Sequence, residues 1–206
     1  MPMKKEKGIL FVVSGASGTG KSTLCRALLK NFPSLRFSVS HTTRPRRPGE
    51  REGRDYYFVS PAKFQQMIKR GDFVEWAKIY GKWYGTSRRM LHKARLEGRD
   101  VILDIDVQGV RQLRRQKIPG VFVFILPPSL KELKRRLKNR ETEGKVALGQ
   151  RLKKARLEIS QAHGYDYWII NEDVKKAREK LEAIFLAEHC RREKMTGAIE
   201  KLLVEK

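Results

Sequence analysis

Residues 15–22 read Gly-Ala-Ser-Gly-Thr-Gly-Lys-Ser, which satisfies G-x-x-x-x-G-K-[ST], the spacing of a loop that wraps phosphate groups. Each residue type has a physical reason. Gly15, Gly18 and Gly20 let backbone N–H groups turn inward around phosphate oxygens. A helix opening directly after the loop adds partial positive charge at its N-terminus. Lys21 can reach the outer phosphates, and the Ser22 hydroxyl is a ligand type suited to Mg²⁺. A chance Gly-rich turn would lack the context present here, an apolar run before the loop and a helical pattern after it. The loop predicts a nucleotide triphosphate site. It does not separate GTPases, ATPase motors and small-molecule kinases, although no NKxD-type base-reading motif follows, which counts against a GTPase.

A second concentration of phosphate chemistry lies at 40–58, Ser-His-Thr-Thr-Arg-Pro-Arg-Arg-Pro-Gly-Glu-Arg-Glu-Gly-Arg-Asp-Tyr-Tyr-Phe. Arginine's planar fork pairs with two phosphate oxygens at once, and hydroxyls serve the remaining acceptors. An ordinary exposed basic loop would explain the arginines but not the interleaved Ser, Thr and Tyr. Asp104 and Asp106 end another apolar run. At i, i+2 on a strand they project to one side, near the C-terminal end where open α/β sheets bind ligands. Arg136 and Arg140 are four apart and share a helix face. Residues 129–160 contain eleven Lys/Arg against four Glu, so spacing alone does not single out these two, or Arg151, from solvated charge.

These groups need a frame, and the apolar runs supply one. Runs at 9–14, 101–104, 121–126 and 167–170 are rich in β-branched or aromatic residues without alternation, as expected of central strands of a parallel sheet; 37–40 is a weaker fifth. Helical patterns fall at 21–31, 87–97, 107–115, 130–140, 146–163 and 173–192, the last with Val174, Ala177, Leu181, Ile184 and Phe185 on one stripe. Strand–helix alternation predicts an α/β fold with right-handed crossovers. Residues 41–86 break the pattern with a Pro/Gly/Arg cluster, a short helix at 61–70 and aromatic strands at 73–80 and 82–84, which reads as a small lobe inserted on the sheet. Residues 140–150, with Gly144 and Gly149 between basic helices, read as a flap, and Ile199, Leu202 and Leu203 put a helical spacing on the short tail.

Bulk properties bound the partners. The 206 residues suit one domain, and 40% hydrophobic with 33% charged content reads as globular. Lys4, Lys5 and Lys7 ahead of an apolar stretch imitate a secretory signal, but the apolar core at 9–13 is shorter than the roughly 7–15 residues such a signal uses. A buried first strand and a cytoplasmic location are expected. No run approaches the roughly 20 apolar residues of a membrane span. Cys25 and Cys190 lie far apart with no metal-ligand spacing, so each is expected to be a small apolar helix residue. The 46 basic and 23 acidic residues give a net charge of +23. That attracts anionic partners, whether nucleotides or nucleic acid, and equally fits a heavily solvated surface.

The run Thr43-Arg44-x-x-Arg47-x-x-Glu50-x-x-Gly53-x-x-Tyr56-x-Phe58 resembles the signature of guanylate kinases. The likeness continues through Glu75-Trp76, Tyr84-Gly85-Thr86-Ser87, Asp104-Ile-Asp106-x-Gln108-Gly109, Arg136-x-x-x-Arg140 and Arg151, and covers the chain from Gly8 to about Arg192. The resemblance implies a P-loop NTPase-type parallel sheet flanked by helices, with an inserted small α+β GMP-binding lobe and a helical lid. Its parts would be a core at 8–40, 87–128 and 164–193, a lobe at 41–86, a lid at 129–163 and a tail at 194–206. ATP would lie on Gly15, Ala16, Ser17, Gly18, Thr19, Gly20, Lys21, Ser22 and Thr23, with Mg²⁺ held by Ser22 and, through water, by Asp104. Ser40, Arg44, Arg47, Tyr56 and Tyr84 would hold the GMP phosphate, and Glu75 and Thr86 would read the base. Guanine presents N1–H and N2–H₂ as adjacent donors for a carboxylate and O6 as an acceptor for a hydroxyl, a pattern adenine lacks. Asp106 would contact the guanine side or couple the two sites, with a helix N-cap as the competing role. Lys21, Arg44, Arg136, Arg140 and Arg151 would neutralise charge on the moving phosphoryl group.

The lid departs from the family pattern, since Glu141 replaces a glycine and Lys145 stands where an acid is common. The implied activity is Mg²⁺-dependent transfer of phosphate from ATP to GMP, and to dGMP, with monomer and homodimer both open. Three other readings are a guanylate-kinase-like binding module without catalysis, a P-loop kinase for another nucleoside monophosphate or a phosphorylated ribose, and a salt-sensitive, non-specific nucleic-acid binder. The intact phosphate loop opposes the first, and no specific nucleic-acid motif supports the last.

Overall fold

A computed structural model describes residues 8–138, 145–195 and 202–203. The chain runs β1 (Leu10–Gly15), α1 (Lys21–Asn31), β2 (Arg36–Phe37), β3 (His41–Thr42), β4 (Tyr57–Phe58), α2 (Pro61–Lys69), β5 (Phe73–Ile79), β6 (Lys82–Ser87), α3 (Arg88–Leu96), β7 (Val101–Asp104), α4 (Val107–Arg115), β8 (Val121–Leu126), α5 (Leu130–Lys138), α6 (Lys145–Ile159), β9 (Tyr167–Ile170) and α7 (Val174–His189). Five strands form a parallel sheet in the order β2-β7-β1-β8-β9. The strands of the first half lie on one side of β1 and those of the second half on the other. That reversal opens a crevice at the C-terminal end of β1, where the phosphate loop sits.

The unbroken apolar composition of β1 has a direct cause, because it is covered on both faces. Phe11 and Val13 pack with Leu24 and Leu28 of α1 and Leu181 and Phe185 of α7. Leu10 and Val12 point the other way, to Leu91 of α3 and Val110 and Leu113 of α4. The last helix is tied to the first strand through a carboxylate. Asp100 Oδ1 accepts from Ile9 N at 2.7 Å, while its Oδ2 lies 2.7 Å from His189 Nε2.

The inserted segment builds a second sheet, β4-β3-β6-β5, with its own core of Phe64, Met67 and Phe73 against Trp76 and Trp83. Its edge strand β5 is covered by α4. Gln112 Nε2 donates to Trp76 O (2.6 Å) and its Oε1 accepts from Trp76 N (3.1 Å), while Gln116 Nε2 donates to Val74 O (2.6 Å). Side-chain amides thus replace a neighbouring strand and fix the lobe to the main sheet.

Several expectations need correcting. The run at 167–170 forms an edge strand, not a central one, and Trp168 and Ile170 are exposed. Of the run at 37–40 only Phe37 is in a strand, at the end of β2, and 38–40 connect it to β3 in the other sheet. The helix expected at 146–163 ends at Ile159, and a 3₁₀ turn follows at Ala162–Gly164. Val174 is exposed rather than part of the buried stripe of α7. Cys25 is buried in α1 as expected, but Cys190 is the exposed residue that caps α7. In the tail, Leu202 and Leu203 are exposed.

Candidate active site

The phosphate loop joins β1 to α1 through three glycines with positive φ, Gly15 (145°), Gly18 (87°) and Gly20 (93°). Gly20 forms the left-handed N-cap of α1, and a Cβ there would run into the Asn171 amide. Lys21 Nζ donates to Gly15 O (2.7 Å) and Ala16 O (3.0 Å), which holds the ammonium inside the curve of the loop. Thr19 Oγ1 donates to Ala16 O (2.8 Å), and Ala16 packs beneath the loop against Leu133 and Leu137 of α5. Ser17 lies on the cavity wall, while Thr23 faces solvent on the first turn of α1.

One cavity runs from this loop to the second sheet. Gly15, Ser17, Lys21 and Ser22 line one end, Ser40, Tyr56, Glu75 and Tyr84 the other, and Asp104 and Asp106 lie between. A second cavity adjoins it, lined by Arg44, Arg47, Arg54, Tyr56 and Tyr84 and touching Ser22 and Asp104. The basic loop and the phosphate loop, far apart in sequence, therefore face one space. Arg44 is oriented by Glu50, which accepts from its Nη2 at 2.6 Å and from Arg47 N at 2.8 Å. Its guanidinium lies 5.3 Å from the Tyr56 ring centre. The bond from Arg44 holds the Glu50 carboxyl below its ordinary range.

The far wall is the β5–β6 hairpin. Glu75 and Thr86 are cross-strand partners, and Thr86 Oγ1 donates to Glu75 Oε1 at 2.6 Å. Glu75 is 4% exposed, and its burial pushes its carboxyl up to about 7, with Asp106 adding to the effect. A Cβ on Gly109 would collide with the Glu75 carboxylate, so the helix α4 can close behind it only through glycine. Thr86 itself is fully buried behind Glu75.

Asp104 and Asp106 divide their roles. Ser22 Oγ donates to Asp104 Oδ2 at 2.5 Å, linking the loop to the end of β7. One hydroxyl and one carboxylate beside a phosphate loop fit Mg²⁺, which is usually held by one or two carboxylates and substrate phosphates. Among the described residues no cluster of three or more His, Cys, Asp or Glu competes for a metal. Asp106 is the N-cap of α4, accepting from Gln108 N (3.0 Å) and Gly109 N (3.1 Å), so the competing role named above is the one its hydrogen bonds serve, although it also borders the cavity.

Of the three lid arginines, Arg136 and Arg151 are described, and neither lines the cavity. Arg136 lies outside the cavity lining, where its Nε donates to Glu132 Oε1 (2.8 Å) and its Nη2 to Asn171 O (3.0 Å). Arg151 lies over the Tyr80 ring at 4.9 Å, not among the residues that line the phosphate-loop cavity. Arg140 and the Glu141 departure fall outside the described residues, as does the side chain of Lys145. Instead α6 sends Lys154 and Glu158 into the cavity, and Glu158 is only 6% exposed. Sequence reading missed both, because they sit within the run of charge at 129–160. It also missed Asn171, whose Nδ2 donates to Thr19 O at 2.7 Å across 152 residues of chain. A polar residue directly after β9, at the ligand-binding end of the sheet, was the available signal.

Comparison with known proteins accords with this geometry. The family model described as guanylate kinase matches residues 7–188. A guanylate kinase of Syntrophotalea carbinolica is 48% identical over 96% of this chain and 94% of its own, and one of Geobacter sulfurreducens is 46% identical over 96% and 98%. Among solved structures, the guanylate kinase from Anaplasma phagocytophilum superposes with a TM-score of 0.75 at 35% identity, covering 92% of this chain and 90% of that one. Matching along nearly its whole length in sequence and in fold, the chain belongs to the guanylate kinase family.

Proposed function

We propose that the chain transfers the γ-phosphoryl group of ATP to GMP, and to dGMP, giving ADP and GDP or dGDP. The observation that carries this reading is the Glu75–Thr86 pair, buried at one end of a cavity whose other end is the phosphate loop. The buried Glu75 carboxylate suits the N1–H and N2–H₂ donors of guanine, and the Thr86 hydroxyl, which donates to Glu75 here, turns its one proton to O6 when the base is seated. With the base there, Ser40, Arg44, Arg47, Tyr56 and Tyr84 take the acceptor phosphate and point it at the loop.

A GMP phosphate oxygen attacks Pγ, the bond from Pγ to the β,γ-bridging oxygen breaks, and ADP leaves with that electron pair. No protein group forms a covalent bond, so catalysis rests on alignment and charge. Loop N–H groups and Lys21 hold the donor phosphates, and Arg44 holds the acceptor. Residues 129–163 act as a lid in which Arg136, Arg140 and Arg151 turn toward the transferred group when both nucleotides are bound. Ser22 and, through water, Asp104 would hold Mg²⁺, which would supply positive charge against the donor phosphates. The enzyme works in the cytoplasm; among the described residues no helix is long and apolar enough to cross a membrane. ADP release with ATP and GMP, dGMP, AMP, CMP or UMP tests the reading. Turnover confined to GMP and dGMP is expected, and turnover with AMP equal to that with GMP would overturn it.

A further inference from the structure

The hairpin that carries Glu75 and Thr86 ends in a turn whose sequence opposes its shape. Tyr80 and Gly81 join β5 to β6 with φ of 46° and 77°. Two consecutive positive φ values make a type I′ turn, whose first position favours Asn, Asp or Gly and penalises a bulky residue. Tyr80 therefore occupies a strained position while remaining 53% exposed, so burial of its ring does not account for it. What the ring does meet is the other side of the cleft. The Arg151 guanidinium lies 4.9 Å and the Lys154 ammonium 5.1 Å from its centre, both from α6. Arg151, Lys154 and Glu158 are spaced i, i+3, i+7, so one face of that helix looks toward the hairpin and the cavity. Tyr80 and Lys154 both border that cavity.

We propose that Tyr80 is a positioning residue: its ring gathers the cations of α6 at the tip of the guanine-reading hairpin, so that seating GMP against Glu75 also sets Arg151 and Lys154 over the acceptor phosphate. The proposal rests on the ATP:GMP reading above. Physically it needs only a stiff connection, and the hairpin provides one. Four paired residues, Trp76 to Ile79, separate Tyr80 from Glu75, and the facing strand returns directly to Tyr84 and Thr86. A cation over an aromatic face is attracted by the ring quadrupole, and the attraction grows as water is excluded, which is the condition of a closed cleft. Such a contact places the charge without consuming it, because the ring takes none of the guanidinium's N–H donors.

The test compares Tyr80→Asn with Tyr80→Phe. Asn suits a type I′ turn with Gly81, so Tyr80→Asn should melt no lower than the parent protein while lacking the ring. Its kcat should fall between about threefold and thirtyfold, the range that the loss of a cation–π contact spans, with the KM for GMP changed less than about twofold. Tyr80→Phe keeps the ring and should stay within about twofold of the parent in kcat. In an Arg151→Gln background the effect of Tyr80→Asn on kcat should shrink, since the group it positions is gone. Three results would overturn the proposal: unchanged kcat in Tyr80→Asn, a loss confined to KM for GMP, or strictly additive effects with Arg151→Gln. If the unaltered protein makes no GDP from ATP and GMP, the activity reading fails first, and that outcome is separate from these three.

Discussion

Under the proposed function, the two ends of the cleft would recognise their nucleotides by opposite means. The phosphate loop works through main chain, with three positive-φ glycines, a helix N-terminus and one lysine folded onto loop carbonyls. It reads phosphate and nothing else, which is why the same loop serves so many enzymes. The guanine end would work through side chains already paired in the protein, chiefly Glu75 with Thr86, both buried at the cavity's far wall. That gives selectivity at a cost in stability, seen in the raised proton affinity of Glu75. Generic binding can thus be built from backbone alone, whereas choosing a base requires a buried, ionisable group.

Four variants bear on this contrast. Lys21→Ala should have the largest effect, lowering kcat by about 10³-fold, as expected when one preorganised charge on the transferring group is lost. Unchanged circular dichroism would show that the loop, and not the fold, was damaged. Gly20→Ala probes the same loop. A Cβ there meets the Asn171 amide at a φ of 93°, so the loop should shift and the KM for ATP rise about tenfold or more, with the KM for GMP little altered.

The guanine end has its own signature in pH. Glu75 titrates near 7 in the folded protein against an ordinary 4.5, so below about 4.5 it is protonated in both states and costs nothing. As pH rises to about 7 the unfolded chain releases this proton more readily, and stability falls by roughly 3 kcal/mol at most, then levels off. Glu75→Gln should therefore unfold at higher denaturant than the parent at about pH 8, with the gap closing as pH falls toward 4.5. In the parent, kcat/KM for GMP should rise with pH through about 7, because the carboxylate is the form that accepts from guanine. Asp106→Ala should have the smallest effect, a loss of about 1 kcal/mol measured by chemical denaturation, through the N-cap of α4.

The same contrast explains what could be read from sequence. The phosphate loop was legible because glycines spell out backbone conformation locally, and α1, β7, α4 and β8 took the expected bounds because each is a short, strongly patterned segment. Glu75 and Thr86 were found through family resemblance, since a lone Glu before a Trp carries no local signal. Asn171, Gln112 and Gln116 stayed hidden for a physical reason. They bond to backbone atoms 36 to 152 residues away, and no spacing rule encodes that. Arg136 and Arg151 were named, yet their settings on Glu132, Asn171 and Tyr80 depend on how α5 and α6 pack, which charge patterning does not determine.

The most direct measurement is steady-state kinetics of Glu75→Gln beside the unaltered protein, varying GMP and ATP separately at about pH 8. The account predicts that kcat/KM for GMP falls by about a hundredfold, as for loss of charge-assisted hydrogen bonds, while the KM for ATP stays within about twofold. Equal losses for both nucleotides would contradict it, because Glu75 would then be supporting the cleft as a whole and not reading the base.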